Sequence, residues 1–188
     1  CALDMKERGC LRQNKAVVTV MSNMGFFKFA EEYGISVEKT KVGDRYVLEC
    51  MKEHDLSIGG EQSGHVIFHD FATTGDGQLT AVQLLCAVRR TGAKFSELAS
   101  IMNVYPQVLV NIVVDNDKKE FLFEDEDIKK VIFDTEVVLG DDGRVLVRAS
   151  GTEPLVRVML EGRDIEQIGQ LAKGIADVVA DRLDGKIK

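Results

Sequence analysis

Residues 16–40, A-V-V-T-V-M-S-N-M-G-F-F-K-F-A-E-E-Y-G-I-S-V-E-K-T, decide the fold class of this chain. Ala16–Met21 is a short apolar run rich in β-branched residues, which is typical of a buried parallel strand. The next segment has helical spacing and ends at Gly34, and Ile35–Thr40 has the composition of a second strand. A strand, a helix and a strand in this order predict an α/β domain with a mostly parallel sheet.

Alternating helices and short strands continue from there to about residue 97. Asp44 is expected to cap the helix that contains R-Y-V-L-E-C-M-K-E-H, and Asp76 is expected to cap a longer helix. Short strands at residues 56–58 and 65–68 flank the glycine-rich sequence G-G-E-Q-S-G. Residues 1–97 are therefore predicted to form a three-layer α/β domain with a mixed, mostly parallel sheet.

The pattern of the second half is different. Gln107–Val114 alternates like a strand, and the acidic run Glu124–Asp127 opens a helix. Two strands surround the loop of residues 148–154, and a last helix covers about residues 164–183. This order, β-α-β-β-α, predicts that residues 98–188 form a smaller α+β domain with an antiparallel sheet and two helices.

The two helices of this second half carry apolar residues at intervals of three or four, which predicts one buried face for each helix. The predicted inward positions include Val138 in the first helix and Ile165 in the second. Ser96 is expected to cap a short helix near the boundary between the two domains.

The chain is acidic: 24 Lys and Arg residues stand against 31 Asp and Glu residues, which gives a formal net charge of −7. No basic stripe is present, so nucleic acid is not expected as a partner. No apolar run reaches the roughly 18–20 residues of a membrane span, so no membrane partner is expected either. An anionic ligand would therefore have to bind at a local positive site.

The four cysteines show no C-x-x-C or metal-ligand spacing, which favours reduced thiols in a cytoplasmic protein over a disulfide framework. They are Cys1, Cys10, Cys50 and Cys86. The chain begins with A-L-D-M-K-E-R-G after Cys1, which resembles the middle or end of a helix, and it does not begin with methionine. We therefore expect an internal fragment of a longer protein.

The sequence R-A-S-G-T-E-P, residues 148–154, is the first candidate binding site. A protein binds a phosphate dianion with guanidinium groups, hydroxyls and backbone N–H groups that converge on one point. Arg148 and Arg157 supply guanidinium groups, Ser150 and Thr152 supply hydroxyls, and glycine allows the backbone to turn inward. The alternative is an ordinary hairpin turn whose arginines face water.

The sequence G-G-E-Q-S-G-H, residues 59–65, is the second candidate. Glycines let the backbone bend sharply, and Glu61, Gln62 and Ser63 can hydrogen-bond sugar hydroxyls. The alternatives are a glycine-rich turn with a solvated Glu61 and a core histidine at His65.

Two further motifs are weaker. In K-V-G-D-R-Y, residues 41–46, Lys41 and Arg45 surround a glycine turn that either faces an anion or is a plain connection. T-T-G-D-G, residues 73–77, resembles a metal or phosphate loop, but a single aspartate is too little for Mg²⁺ and a helix N-cap is the stronger interpretation.

Taken together and in their order along the chain, K-V-G-D-R-Y, G-G-E-Q-S-G-H, T-T-G-D-G and R-A-S-G-T-E-P-L-V-R resemble the α-D-phosphohexomutase superfamily. The resemblance covers the whole chain but only the C-terminal half of such enzymes, their domains three and four. In these enzymes domain one carries a phosphoserine and domain two carries the aspartates that bind magnesium. The Glu-Gln-Ser triplet, M-S-N-M-G and Y-P-Q-V-L-V-N are similar to the phosphoglucosamine mutase branch.

The resemblance implies a role for each candidate residue. In the sugar-binding loop, Glu61 and Ser63 would hold ring hydroxyls and Gln62 would lie near the 2-amino position. Lys41 and His65 would contribute at the wall of the cleft. The phosphate that is not transferred would be held by residues of the phosphate-binding loop and the next strand: Arg148, Ser150, Gly151, Thr152 and Arg157.

The implied reaction of the full-length enzyme interconverts glucosamine 6-phosphate and glucosamine 1-phosphate through a bisphosphate intermediate. This chain contains no serine loop and no aspartate loop, so we expect no catalytic residue, no metal ligand, no cofactor of its own and no activity alone. Mg²⁺ would be bound by a domain that this chain lacks.

The expected partner is a small-molecule phosphosugar, and the resemblance allows a homo-oligomer of the full-length enzyme. Two alternatives stay open: a fragment of a phosphomannomutase/phosphoglucomutase, and a separate non-catalytic module that binds sugar phosphates.

Overall fold

The computed structural model describes residues 1–188 and contains two compact units, Cys1–Val104 and Tyr105–Lys188. The predicted division between residues 97 and 98 falls inside a short helix, whereas the two units divide after this helix ends. Each unit has its own sheet and its own apolar core. No helix of either unit combines the length and the apolar character needed to cross a membrane.

The first unit confirms the predicted mixed, mostly parallel sheet. Its strand order is β2-β1-β3-β4, with β1 parallel to both of its neighbours and β4 antiparallel to β3. The strands are β1 (Lys15–Thr19), β2 (Ser36–Thr40), β3 (Ile58–Gly60) and β4 (Val66–Phe68). The helices are α1 (Ala2–Glu7), α2 (Met24–Glu32), α3 (Asp44–Glu53), α4 (Gly77–Thr91) and α5 (Phe95–Ala99).

Helices cover both faces of this sheet. On one face, Phe29 of α2 packs in a cluster with Ala16 of β1, and on the other face Met51 of α3 packs with Val17. Because α2 follows β1 and α3 precedes β3, the connections change side between β1 and β3. In open α/β sheets, ligands bind outside the carboxyl ends of the strands at such a point. The ends of β1 and β3 therefore mark the expected ligand edge of the first unit.

The predicted cap Asp76 is confirmed, since its side chain accepts a hydrogen bond from the Leu79 N–H at 2.9 Å. The predicted caps Asp44 and Ser96 are wrong by one and two residues. Helix α3 starts at Asp44 itself, after Gly43 with a φ of 134°. Only glycine adopts this φ readily, so the backbone at the glycine sets the start of the helix. Helix α5 follows Lys94, so Ser96 lies inside its first turn.

The second unit confirms the predicted antiparallel sheet with two helices, and its strand order is β6-β7-β5-β8. Its elements are β5 (Gln107–Val113), α6 (Glu126–Leu139), β6 (Gly143–Ala149), β7 (Leu155–Gly162), α7 (Ile165–Arg182) and β8 (Lys186–Ile187). Strand β8 was not predicted, because a pair of exposed residues at the end of the chain has no periodicity.

The core of the second unit lies between one face of this sheet and the two helices. It contains fully buried residues such as Val158 of β7 and Ile175 of α7. The predictions that Val138 and Ile165 face inward are wrong, since the two residues are 58% and 52% exposed. Ile165 is the first residue of α7, and Val138 lies at the edge of the face that buries Leu139.

Candidate functional site

The loop between β6 and β7 is closed by its own hydrogen bonds. The Ser150 N–H donates to the Leu155 carbonyl oxygen at 2.8 Å, and the Glu153 N–H donates to Ser150 Oγ at 3.2 Å. Ser150 Oγ is thus an acceptor inside the loop, and its hydroxyl hydrogen donates to no acceptor in the chain. The N–H groups of Gly151 and Thr152 donate to no acceptor in the chain. The loop is a turn, and the donors at its tip are unpaired.

Two arginines lie beside this loop on adjacent strands. Arg148 of β6 is directly opposite Arg157 of β7 in the antiparallel register, and residues so paired have Cβ atoms about 4.5–5.5 Å apart. The Nε atoms of both arginines are buried and have no hydrogen-bond partner in the chain. Burial lowers the pKa of the Arg148 guanidinium, and the charge of Arg157 lowers it further. Such a pair is destabilising by itself, and a bound anion would offset the cost.

One acid of the loop partly neutralises this pair. Glu153 forms an ion pair with Nη2 of Arg157, which leaves Nε of Arg157 unpaired. The Glu153 side chain is 51% exposed, and an exposed ion pair contributes at most about 1 kcal/mol. Arg148 makes no ion pair in the chain. A phosphate group can therefore compete with Glu153 for Arg157 and meets no competitor at Arg148.

In the first unit, the sequence G-G-E-Q-S-G-H connects β3 to β4. The Glu61 side chain is only 8% exposed, and its Oε2 accepts a hydrogen bond from the Gly43 N–H at 2.9 Å. This bond ties the loop to the start of α3. Glu61 Oε1 lies 3.4 Å from Nδ1 of His65, and Ser63 Oγ lies 3.1 Å from the same atom. The structure therefore brings Glu61, Ser63 and His65 into one connected cluster.

The remaining residues predicted for this site are exposed. The His65 side chain is 56% exposed, which rules out a core histidine, and Gln62 is exposed as well. Lys41 lies in the turn before α3 and makes no ion pair, whereas Arg45 pairs with Glu49 at 2.7 Å. Of the two cations around this turn, Lys41 is the one available to an anion.

The structure adds two residues that the sequence did not identify as ligand-facing. A cavity of about 290 Å³ lies beside the E-Q-S loop, and Ser22 and Asn23 line it together with Glu61 and Gln62. The cavity lies at the ends of β1 and β3, where the connections change side. The position of Ser22 and Asn23 directly after a buried strand was the available signal, because ligands of open α/β sheets bind beyond the carboxyl ends of the strands.

The T-T-G-D-G sequence forms a helix N-cap, which was the stronger of its two interpretations. Asp76 caps α4, and the Thr80 hydroxyl donates to the Asp76 carbonyl oxygen at 2.6 Å. No group of three or more His, Cys, Asp or Glu side chains is placed to hold a metal ion.

Sequence comparison matches residues 1–105 to the α/β/α domain III of phosphoglucomutase/phosphomannomutase and residues 109–178 to the C-terminal domain of the same family. The chain is 55% identical to the phosphoglucosamine mutase of Caldanaerobacter subterraneus subsp. tengcongensis over 98% of this chain and 41% of that protein. It is 56% identical to the phosphoglucosamine mutase of Caldicellulosiruptor bescii over 97% of this chain and 40% of that protein. The chain thus spans about two fifths of the length of these curated relatives.

Solved structures show the same fold at low sequence identity. Aspergillus fumigatus N-acetylphosphoglucosamine mutase, in complex with GlcNAc-6P and magnesium, matches with a TM-score of 0.78 and 19% identity over 97% of this chain and 42% of that chain. An N-acetylglucosamine-phosphate mutase of the α-D-phosphohexomutase superfamily, in its substrate complex, matches with a TM-score of 0.71 and 21% identity over 95% of this chain and 41% of that chain. The resemblance in the sequence motifs is confirmed, and the chain belongs to the phosphoglucomutase/phosphomannomutase family.

Proposed function

We propose that this chain is the C-terminal half of a phosphoglucosamine mutase and that it binds the sugar and the non-transferred phosphate of the substrate. Relatives that are 52–56% identical over nearly the whole chain bear that name. The Glu-Gln-Ser triplet supports the same branch. The substrates of the longer protein are then glucosamine 6-phosphate and glucosamine 1-phosphate.

The adjacent guanidinium groups of Arg148 and Arg157, whose buried Nε atoms have no partner in the chain, carry the proposal. A phosphate monoester has a charge of about −1.5 to −2 near neutral pH and three acceptor oxygens. Arg148 and Arg157 offer two adjacent guanidinium groups whose Nε atoms have no partner in the chain, Gly151 and Thr152 offer unpaired backbone N–H groups, and Ser150 offers its hydroxyl hydrogen. Charge-assisted hydrogen bonds to guanidinium groups are about twice as strong as neutral ones. The second unit is therefore the phosphate-binding domain of our proposal.

The sugar is assigned to the first unit. Glu61 Oε1 lies near the His65 ring, and this carboxylate oxygen can also accept a hydrogen bond from a ring hydroxyl of the sugar. The Ser63 hydroxyl can both donate and accept. The exposed amide of Gln62 can accept from the 2-ammonium group that distinguishes an amino sugar. Lys41 supplies a positive charge next to the same loop.

The phosphoryl transfer itself is assigned to the longer protein. When bound there, Mg²⁺ would stabilise the charge of the transferring group. The residues of this chain bind and orient: the sugar loop fixes the ring, and the phosphate loop fixes the end of the substrate that does not react. The four free cysteines agree with our assignment to the cytoplasm.

NMR titration of the ¹⁵N-labelled chain tests the proposal. Glucosamine 6-phosphate, glucose 6-phosphate and inorganic phosphate should all shift the amide signals of residues 148–157, because they share the phosphate group. Only the two sugar phosphates should also shift residues 61–65, and Gln62 should respond more to the amino sugar. Shifts at neither loop would refute the proposal. With Mg²⁺ present, the chain alone should produce no glucosamine 1-phosphate. Steady production would contradict our assignment of phosphoryl transfer to the longer protein.

A further inference from the structure

A lysine outside the phosphate-binding loop holds both ends of that loop. Lys119 lies in a short 3-10 helix, Lys119–Phe123, between β5 and α6. Its Nζ donates hydrogen bonds to the carbonyl oxygen of Ser150 at 2.8 Å and to that of Glu153 at 2.9 Å. These two carbonyls flank Gly151 and Thr152. One ammonium group thus bridges the residues on each side of the loop tip.

The two bonds determine which groups of the loop an anion can meet. A carbonyl oxygen carries a partial negative charge and would repel a phosphate, whereas an N–H group would bind it. Lys119 occupies the carbonyl oxygens of Ser150 and Glu153, while the N–H groups of Gly151 and Thr152 stay unpaired. Lys119 therefore binds the carbonyl oxygens that would repel an anion and leaves the N–H groups that would bind it unpaired.

We propose that Lys119 is the positioning residue of the phosphate-binding loop. It fixes the two carbonyls, so the loop does not have to be ordered when the phosphate binds, and it does so without contacting the phosphate. The inference rests on the phosphate site proposed above. Preorganisation of this kind increases affinity because the ordering entropy is removed from the binding step.

The adjacent lysine is a matched control. Lys118 has the same charge and lies next in the chain, but its Nζ pairs with Asp184 at 2.7 Å and makes no bond to the loop. Replacing either lysine by methionine removes one positive charge and keeps the aliphatic chain. A difference between Lys118→Met and Lys119→Met therefore reports the bonds to the loop, because the change in net charge is the same.

The experiment measures inorganic phosphate binding by NMR for the parent chain, Lys119→Met, Lys118→Met and Lys119→Arg. Losing two hydrogen bonds from a charged donor should weaken binding by about ten-fold in Lys119→Met. Lys118→Met should bind within about two-fold of the parent, because its charge is exposed and screened. Lys119→Arg keeps a charged donor and should recover part of the affinity.

A second readout separates positioning from simple attraction of the anion. Without phosphate, the heteronuclear NOE of the Gly151 and Thr152 amides should fall in Lys119→Met and stay unchanged in Lys118→Met. Equal affinities of the two methionine variants, or an unchanged NOE in Lys119→Met, would overturn the role of Lys119. A parent chain that binds no phosphate would overturn the proposed phosphate site first and this inference with it.

Discussion

The two candidate loops of this chain use their polar groups in opposite ways. In the first unit, Glu61 is nearly buried and its carboxylate is bound by the Gly43 N–H and lies near the His65 ring. In the second unit, the loop tip leaves two N–H groups unpaired, and the buried Nε atoms of Arg148 and Arg157 have no partner. One loop is completed by bonds within its own unit, and the other is left incomplete.

The difference matches the chemistry of the two ligand parts that we propose. A sugar hydroxyl is neutral and needs a correctly oriented acceptor or donor, so a carboxylate fixed by the backbone serves it well. A phosphate dianion brings enough charge to offset the cost of two adjacent guanidinium groups. The phosphate-binding loop therefore tolerates repulsion between Arg148 and Arg157 when no ligand is bound, and the sugar-binding loop contains no such repulsion.

The largest effect is expected from Arg148→Met. Phosphate binding should weaken by at least about ten-fold, since the variant loses charge-assisted donors worth roughly 1.5–3 kcal/mol. The second unit should at the same time become more resistant to urea, because the like-charge contact with Arg157 and a buried unpaired Nε disappear. Equilibrium urea unfolding and phosphate titration measure the two quantities.

Arg163→Met is the control for this experiment. Arg163 is 69% exposed and pairs with Asp142, so its replacement should change neither quantity appreciably. If Arg148→Met lowered the urea midpoint, the arginine pair would be a stabilising feature of the sheet, and the contrast between the loops would be lost.

An intermediate effect is expected from Glu61→Ala. Removing the carboxylate leaves the Gly43 N–H without its acceptor, so the free energy of unfolding of the first unit should fall by about 1–2 kcal/mol. Glu61→Gln keeps an amide oxygen and should lose less. Thr152→Ala in the other loop should not change stability, because Thr152 makes no hydrogen bond in the chain. Equal losses of unfolding free energy in Glu61→Ala and Thr152→Ala would contradict the difference between the two loops.

The smallest effect is expected from Glu153→Gln. This change removes the carboxylate that competes with phosphate for Arg157. Because exposed ion pairs are worth roughly 0.2–1 kcal/mol, phosphate affinity should rise by about two- to three-fold, and the gain should shrink in high salt. A decrease in affinity, measured by the same titration, would show that Glu153 supports the site and does not compete with it.

Local sequence signals predicted much of the fold. The apolar run that became β1, the cap Asp76 and the antiparallel sheet of the second unit follow from periodicity and capping rules. The residues of both loops were identifiable because glycine, hydroxyl and charged side chains are concentrated in short stretches. Such signals depend on neighbours in the chain, which is why they also misplaced caps near Gly43 and Lys94.

Contacts between distant residues could not be predicted in this way. The bond from the Gly43 N–H to Glu61 joins residues 18 apart, and the bonds of Lys119 to the phosphate loop join residues 31 and 34 apart. No motif marks Lys119, since it lies in a polar run beside another lysine. The unpaired state of the two arginine Nε atoms was equally hidden, because it depends on which acceptors the fold places near them.

The most direct test of the account is the response of the arginine Nε–H signals to inorganic phosphate. These signals are resolved in ¹⁵N-correlated spectra, and Arg148 and Arg157 are the two arginines with buried, unpartnered Nε atoms. We predict that both signals shift together with the amides of Gly151 and Thr152, with one common dissociation constant. Arginine signals that stay in place while phosphate shifts other parts of the surface would contradict it.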